Sequence, residues 1–327
     1  ERVFRYRHAV LKDDLAGSKR YSAHGPLAIG VTGATGLVGR SLVPFLTTSG
    51  HRVRRLVRTR GESDDILWDP ATGRLESMAL EGLDAVVHLA GESIAGGRWT
   101  EERRRRILDS RILGTTLIAE TIGRLSHRPR VLVSASAIGI YGDRGDEILT
   151  EEAPLRTGPE AMFVERVGHA WEAATAPAER AGIRVVRLRA GLVLSPAGGA
   201  LGQMLPPFRA GLGGRFGSGR QYMSWISMDD MVGTIYHAIL TDALRGPVNA
   251  TTSDPVTNSD FTAALGAVLG RPALLPVPAA ALRLLFGEMA DELLLASTRV
   301  VPEALEATGY PFRYPTLLGA LRHVLGR

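Results

Sequence analysis

The chain has 327 residues, enough for one large or two moderate domains, and its hydrophobic fraction of 45% is that of an ordinary globular protein. Cysteine is absent, which excludes disulfides, thiolate catalysis and cysteine-ligated zinc. No run approaches the ~18 consecutive apolar residues of a membrane span, and no signal-peptide pattern is present, so we expect a cytoplasmic protein without a membrane partner.

The formal net charge is +5, and the basic residues are nearly all arginine because lysine occurs only at Lys12 and Lys19. No lysine after residue 19 can therefore serve as a base, a Schiff-base former or a proton relay. The arginine run at residues 103–106 falls in a predicted helix over residues 101–117 and contains no interleaved aromatic side chains. We interpret this run as a solvated helix face and expect no nucleic-acid partner.

Residues 1–25 are polar and basic and precede the first apolar run of the chain. We interpret them as an N-terminal tail or as the remnant of an upstream domain. The alternative is a strand or helix packed on the main body, for which Phe4, Tyr6 and Leu11 are the available apolar anchors.

A glycine turn between a predicted strand (residues 27–32) and a predicted helix (residues 37–46) organises the first part of the chain. Gly33 permits a tight turn, Gly36 lets the backbone approach a pyrophosphate, and Gly39 lets the helix pack closely. The N–H groups and the positive end of the helix dipole then face the phosphates. The alternative is an ordinary strand–helix turn with spare glycines. The residues predicted to bind a dinucleotide here are Gly33, Thr35, Gly36, Leu37 and Val38.

The end of the second predicted strand (residues 51–57) decides which dinucleotide is expected. In dinucleotide-binding folds this strand end, ~20 residues past the glycines, meets the adenosine ribose. A carboxylate there accepts hydrogen bonds from both hydroxyls of NAD, whereas arginine pairs with a 2′-phosphate. The chain has Arg58 and Arg60 at this place. We therefore predict NADP(H) as the cofactor, with Arg58 as the main contact and Arg60 as support.

Apolar segments and helical segments alternate up to about residue 190. The segments that predict strands are residues 27–32, 51–57, 65–69, 84–91, 131–136 and 184–189, and helices are predicted over residues 101–117 and 161–181. This alternation predicts an α/β fold, a doubly wound parallel sheet of the Rossmann type covered on both faces.

Strands of doubly wound sheets carry their functional groups at their carboxyl ends. Ser136 and Tyr141 lie on this expected cofactor side and are the candidate catalytic residues. His88 lies within an apolar strand and is interpreted as structural. The further residues predicted to contact the cofactor are Leu89, Ala90, Gly91, Ser134 and Ala190.

From about Pro196 the sequence predicts a looser, glycine- and proline-interrupted segment. A helix follows over residues 231–240, with Asp229 or Asp230 as its N-cap, and residues 247–250 predict a short strand. The remaining predicted helices lie near residues 259–269, 279–286 and 289–298.

These segments predict a Rossmann domain of residues 26–191 plus 225–250 and a smaller substrate lobe of residues 192–224 plus 251–327. Arg220, in a glycine-rich turn, is the predicted anion contact for a small-molecule substrate; the alternative is a solvated loop arginine. No metal site is suggested, because the histidines are scattered and lack clustered carboxylates. The apolar residues Leu282, Leu284, Leu285, Phe286 and Met289 predict core or a homodimer interface, with a lid over a ligand as the third interpretation.

The motifs at residues 32–39, 89–91, 134–136 and 225–230 together resemble the extended short-chain dehydrogenase/reductases, which include sugar-nucleotide epimerases and dehydratases. More closely, the chain is similar to an "epimerase family" subgroup whose members are labelled nucleoside-diphosphate-sugar epimerase or cell-division-inhibitor-like. The segments that carry this second resemblance are residues 91–94, 98–99, 110–111, 198–201, 205–208, 217–221, 246–250 and 271–315, the last resembling the subgroup's distinctive C-terminal domain. Residues 1–25 resemble the end of a START-like ligand-binding domain.

The resemblance implies hydride transfer at the nicotinamide, which the superfamily supports with a Tyr-x-x-x-Lys pair and a serine. This chain has residues 163–168 (FVERVG) where the pair belongs, so the pair is absent. The superfamily's helper asparagine is also replaced, by Ser110 and Arg111 in its helix.

Three explanations remain open. The chain is an NADP-dependent oxidoreductase or a sugar-nucleotide epimerase-like enzyme that uses other groups on an unknown sugar-nucleotide or carbonyl substrate. Alternatively, it is a non-catalytic NADP(H) sensor or partner-binding module, or a flavin-free reductase whose substrate is protonated by water. The groups available to an enzyme are Ser136, Tyr141, Glu165 and His169, with Arg166 as a source of positive field.

Overall fold

The computed structural model describes residues 8, 11–12, 24–59 and 61–327. The expectations for the N-terminal segment, apart from these few residues, and for Arg60 lie outside the described residues.

Fourteen strands and ten α-helices follow one another within the described residues from 24 to 327. The strands are β1 (Ala28–Thr32), β2 (Arg52–Val57), β3 (Ile66–Asp69), β4 (Arg74–Leu75), β5 (Ala85–His88), β6 (Val131–Ala137), β7 (Ile148–Leu149), β8 (Arg184–Ala190), β9 (Leu192–Leu194), β10 (Tyr222–Met223), β11 (Trp225–Ser227), β12 (Gly246–Ala250), β13 (Val256–Thr257) and β14 (Arg299–Val300). The α-helices are α1 (Gly39–Thr48), α2 (Glu101–Gly123), α3 (Phe163–Ala173), α4 (Ala176–Arg180), α5 (Gly199–Arg209), α6 (Met228–Leu240), α7 (Asn258–Leu269), α8 (Ala279–Phe286), α9 (Glu303–Ala307) and α10 (Leu317–Val324). Short 3-10 helices span Ser77–Leu80 and Ile138–Tyr141, and a π-helix spans Ala290–Leu295.

The central sheet has eight strands in the order β12-β8-β6-β5-β1-β2-β3-β4. All neighbours in it are parallel except β3 and β4. The strand order reverses between β1 and β5, which is the crevice where doubly wound sheets bind their ligands. This topology confirms the predicted α/β, doubly wound fold.

Apolar side chains cover both faces of the sheet, because successive residues of a strand point to opposite faces. Val87 of β5 packs in a cluster with Leu42 of α1 and Ile235 of α6. Its neighbour Val86 packs in a second cluster, with Ile118 of α2 among its members. Both faces of the sheet are therefore buried, which fits the near-continuous apolar sequence of its inner strands.

A third apolar cluster builds the C-terminal part of the molecule. It combines side chains of α5, α7 and α10 with Trp225 of β11, which is fully buried. The sequence predicts a loose segment from about Pro196, but residues Gly199–Arg209 form helix α5, so this prediction is wrong. Its buried residues lie at helical spacing, and their burial outweighs the two prolines inside the helix. These buried residues are Leu201, Met204, Leu205 and Phe208.

Three predicted helix boundaries are wrong. The helix predicted over residues 161–181 divides into α3 and α4, with Pro177 in the first turn of α4, where a missing N–H costs little. The N-cap of α6 is Ser227, whose Oγ accepts a hydrogen bond from the Asp230 amide at 2.9 Å. The helix predicted over residues 289–298 is the shorter π-helix, and residues 299–300 form β14.

Within the described part of the chain, no helix combines the length and the apolar character needed to cross a membrane. The predicted division into a Rossmann domain and a substrate lobe stays a prediction.

Candidate functional site

The glycine turn lies between β1 and α1, and its three glycines have different physical roles. Gly33 has a φ of +66°, and a Cβ there would lie 2.9 Å from the Ala90 amide nitrogen. A Cβ at Gly39 would overlap the Gly33 carbonyl oxygen, so this glycine lets the helix approach the turn itself. Gly36 is exposed, and its missing side chain leaves the backbone open to a ligand.

Backbone donors and an apolar wall surround this turn. Among the described residues, the amides of Thr35, Leu37 and Val38 have no hydrogen-bond acceptor, and they lie at the positive end of α1. The Leu37 side chain packs against Gly198 and Gly199, where added Cβ atoms would lie 3.3 Å and 3.0 Å from it. The turn therefore offers free N–H groups beside a closely packed loop, which fits a pyrophosphate.

Thr32 holds the backbone of the loop after β5, at Leu89 and Ala90, in place. Its Oγ1 accepts hydrogen bonds from the Leu89 and Ala90 amides at 3.0 and 3.2 Å and lies 2.8 Å from Nδ1 of His88. Burial lowers the pKa of His88 to about 4, so the imidazole is neutral at neutral pH. This placement fits the structural interpretation of His88, and Gly91 follows as an exposed backbone position.

Arg58 is exposed just beyond the end of β2, beside the glycine turn. Two residues before it, Leu56 pairs in register with Thr32. Its guanidinium forms no ion pair with the described residues. Arg60 lies outside the described residues, and its predicted support stays a prediction.

The other residues predicted to contact the cofactor differ in how far they are buried. Leu89, Ala90 and Ala190 are half-buried at the carboxyl edge of the sheet. Ser134 is buried inside β6 between His88 of β5 and Arg187 of β8, and its contact with the cofactor stays a prediction.

Ser136 and Tyr141 belong to one buried polar network. Glu172 accepts two hydrogen bonds from Arg189, at 2.8 and 2.9 Å, and one from the Ser136 hydroxyl at 2.8 Å. The Tyr141 hydroxyl accepts from Arg189 at 2.8 Å and donates to Oδ1 of Asn249 at 2.8 Å. Both hydroxyl protons are thus directed at neighbouring protein atoms.

This network argues against proton transfer by the two candidate residues. Tyr141 has no exposed surface, and Ser136 is 3% exposed. Burial raises the pKa of Tyr141, and it outweighs the opposing effect of the Arg189 charge. A catalytic role for either side chain stays a prediction, which this geometry does not favour.

Helix α3 begins at the segment where the resemblance places the superfamily's tyrosine. Carboxylates occupy its first turn: Glu165 accepts from the Met162 amide, and Glu292 of the π-helix accepts from the Phe163 and Val164 amides at 3.1 and 2.9 Å. His169 lies 2.8 Å from a backbone carbonyl oxygen through its Nε2. The positive charge beside Tyr141 comes from Arg189, 5.0 Å from the ring centroid, so the expectation that Arg166 supplies it is wrong.

Arg220 lies on an exposed turn after α5. Its backbone amide donates to Oγ of Ser218 at 3.3 Å, and no described hydrogen bond or ion pair connects its side chain with the glycine turn. Its role as an anion contact stays a prediction.

The apolar residues after position 280 differ in their burial. Leu282 and Met289 are buried, whereas Leu284 and Leu285 are exposed on α8. The interpretation as core fits Leu282 and Met289. For Leu284 and Leu285, the homodimer interface stays a prediction.

Sequence reasoning missed several residues of this site. Glu172 and Arg189 form the buried ion pair, Thr32 orients the loop after β5, and Arg111 lies buried behind Gly91. A signal existed for Glu172, which lies among apolar residues of its predicted helix, but not for Arg189, whose strand also carries Arg184 and Arg187.

Comparison with known proteins connects this geometry to a family. Residues 29–250 match the model of the NAD dependent epimerase/dehydratase family, and residues 277–324 match a domain of unknown function, DUF1731. An epimerase family protein of Mycobacterium bovis is 42% identical over 300 residues, which cover 91% of this chain and 98% of that protein.

Two solved structures show the same fold. The human epimerase family protein SDR39U1, solved with NADPH, has a TM-score of 0.83 and 34% identity and covers 91% of this chain and 99% of its own. A nucleoside-diphosphate sugar epimerase from Corynebacterium glutamicum has a TM-score of 0.82 and 38% identity over 99% of this chain. This chain spans only 64% of the length of the Corynebacterium chain. On the family match and these relatives together, the chain belongs to the NAD dependent epimerase/dehydratase family, as its motifs predict.

Proposed function

We propose that the chain binds NADP(H) at the glycine turn between β1 and α1. The observation that carries the proposal is Arg58, an exposed guanidinium with no ion-pair partner among the described residues, at the strand end that meets the adenosine ribose in dinucleotide-binding folds. A carboxylate at that place would favour NAD, whereas arginine favours a 2′-phosphate. The human relative solved with NADPH supports this choice.

Different residues of the proposed site bind different parts of the cofactor. The amides of Thr35, Leu37 and Val38 hold the pyrophosphate at the start of α1, and Arg58 pairs with the 2′-phosphate. Leu89 and the residues after it form the floor on the side of β5. When bound, the cofactor supplies a hydride donor or acceptor. The chain's own part is to orient it and to exclude water.

Fluorescence titration with NADPH and NADH tests this proposal. We expect tighter binding of NADPH, and Arg58→Ala should weaken NADPH binding about tenfold or more while leaving NADH binding nearly unchanged. Arg52→Ala is the matched control, because Arg52 is exposed on the same strand but paired with Asp64 at 3.1 Å. Equal affinities for both cofactors, or an unchanged NADPH affinity in Arg58→Ala, would contradict the proposal.

We further propose that the chain uses the bound cofactor as an oxidoreductase or epimerase-like enzyme on a carbonyl or sugar-nucleotide substrate. The family match and the Corynebacterium relative, a nucleoside-diphosphate sugar epimerase, support this choice. Arg220 is the proposed contact for an anionic group of that substrate. A panel of carbonyl compounds and sugar nucleotides, assayed for NADPH oxidation or epimerisation, tests the activity, and Arg220→Ala should then raise KM more than it lowers kcat.

A non-catalytic NADP(H) sensor is the second candidate function. Two observations favour it: the hydroxyls of Ser136 and Tyr141 are directed at protein atoms, and no lysine follows Lys19. Tight NADPH binding with no turnover across the same panel is the result expected of a sensor. Turnover that is lost in Tyr141→Phe, with the fold retained, would instead assign this residue to catalysis.

A further inference from the structure

Arg111 of helix α2 lies directly behind the end of β5. A Cβ at Gly91 would lie 3.6 Å from Cζ of Arg111, in ordinary van der Waals contact. Gly91 is exposed, and Arg111 is only 8% exposed. Because Gly91 has no side chain, the Arg111 side chain lies next to its backbone at the end of β5.

The contacts of Arg111 leave its charge without a bound carboxylate. Its Nη1 donates to the carbonyl oxygens of Glu92 and Ile107 at 3.0 and 2.9 Å, and Cζ lies 4.7 Å from the Trp171 ring centroid. Its Nε is buried without a partner, and no carboxylate of the described residues lies within ion-pair distance. The Glu92 carboxylate acts on it only from a longer range.

Arg111 nevertheless remains a cation at neutral pH. Burial lowers its pKa to about 10, and the longer-range effect of Glu92 opposes this shift. Buried charges are normally paired, because removing them from water is costly. Arg189, also buried at this edge, follows that rule through Glu172. The unpaired Arg111 departs from it.

We propose that Arg111 biases the bound cofactor towards its reduced form, a proposal that rests on the NADP(H) site described above. The adenosine half is assigned to the side of β2, so the nicotinamide half extends over the side of β5, β6 and β8. The oxidised nicotinamide ring carries a positive charge, and the reduced ring carries none. A buried cation behind Gly91 therefore repels NADP+ more than NADPH.

The ratio of the dissociation constants of NADP+ and NADPH measures this effect. Both forms share the pyrophosphate and the 2′-phosphate, so contributions from the glycine turn and Arg58 largely cancel in the ratio. Isothermal titration calorimetry at fixed pH and ionic strength gives both constants. We expect the wild-type protein to bind NADPH more tightly, and Arg111→Gln to lower the ratio about tenfold, as expected for a unit charge at ~10 Å in an effective dielectric of ~20. A tenfold change corresponds to about 30 mV in the midpoint potential of the bound cofactor.

Three further variants make the test specific. Arg111→Lys keeps the charge and should keep most of the ratio. Glu92→Gln removes the longer-range negative charge and should raise the ratio, which also tests the proposal if Arg111→Gln does not fold. Arg105→Gln removes an exposed arginine from the same helix and should leave the ratio unchanged, because solvent screens its charge.

The outcomes separate this inference from the cofactor proposal. A folded wild-type protein that binds neither form overturns the cofactor proposal. Binding of both forms with the same ratio in wild type, Arg111→Gln and Glu92→Gln, all with cooperative thermal unfolding, leaves the cofactor site intact and overturns the role of Arg111.

Discussion

At the scale of single residues, the main feature of this molecule is a buried ion pair with hydroxyl partners. Arg189 and Glu172 are both buried and joined by two hydrogen bonds, and each has a further partner in Tyr141 or Ser136. An ion pair satisfied in this way holds its members in fixed positions. Removing one member leaves the other charge buried without compensation.

Glu172→Gln should therefore lower the free energy of unfolding by about 3–5 kcal/mol, because Arg189 loses its charged acceptor. Urea unfolding followed by circular dichroism measures the loss. Glu102→Gln is the control, since it breaks the exposed pair of Glu102 with Arg106 at 2.6 Å and should cost less than about 1 kcal/mol. Equal, small losses in both variants would contradict the structural importance of the buried pair.

His88 should make stability depend on pH. Its pKa is about 4 in the folded protein against a reference of 6.5 in the unfolded chain, so between these values the unfolded chain binds more protons. The contribution of the neutral imidazole is complete above pH 6.5 and is lost as the pH falls towards 4, by about 3 kcal/mol in total. Unfolding free energies measured across this window should fall less steeply in His88→Asn. An identical slope in the variant would show that His88 does not titrate as described.

At the scale of elements, the glycine turn joins β1 to α1 under two separate constraints. Gly39 is required by packing, because a Cβ there would overlap backbone atoms of the turn. Gly36 is exposed, and a Cβ there would lie 3.1 Å from the Gly33 carbonyl oxygen. Gly39 thus supports the fold, and Gly36 leaves the backbone open to a ligand.

Gly36→Ala and Gly39→Ala should therefore separate binding from stability. Gly36→Ala should leave the thermal midpoint within a few degrees of wild type and weaken NADPH binding at least tenfold, because the methyl group would occupy the space proposed for the pyrophosphate. Gly39→Ala should lower the stability by about 1–3 kcal/mol, because the helix must move away from the turn. Thermal unfolding and NADPH titration of both variants test this. Unchanged NADPH affinity in a folded Gly36→Ala protein would contradict the assignment.

At the scale of the whole molecule, segments of the C-terminal region hold the start of α3. Glu292 of the π-helix accepts two amide hydrogen bonds from that helix start, and Arg98 donates to the Leu284 carbonyl oxygen at 2.9 Å. Arg104 of α2 and Glu288 form a further ion pair between α2 and the C-terminal region. The C-terminal region thus takes part in positioning α3, the helix in which the resemblance places the superfamily's tyrosine and in which this chain has none.

Glu292→Gln should loosen this contact. Only one amide oxygen can then accept, so the amides of Phe163 and Val164 should exchange with solvent about tenfold faster, while amides of β1 and β5 keep their protection. Hydrogen exchange with mass spectrometry measures the difference. Asp260→Asn is a suitable control, because Asp260 lies on the exposed face of α7 and pairs locally with Thr257. Unchanged exchange at the start of α3 would contradict the role given to Glu292.

Local patterns determined much of this protein. The apolar alternation predicts the doubly wound sheet, and glycine spacing together with Arg58 predicts an NADP(H) site, because these signals depend on residues close together in the chain. The absence of lysine after Lys19 excludes the superfamily's usual pair without any structure. The predicted helix boundaries near residues 175 and 289 and the predicted loose segment at α5 are wrong, because proline and apolar content alone do not show which side chains become buried.

Only the tertiary structure decided which polar groups are free to act. Tyr141 meets Asn249 across 108 positions of sequence, and Phe163 meets Glu292 across 129, so no local pattern predicts that these groups are occupied. For the same reason, sequence could not show that Arg189 is neutralised by Glu172 while Arg111 is not. Whether a charge or a hydroxyl is available to a ligand depends on its partners and its burial, and folding brings these together from distant parts of the chain.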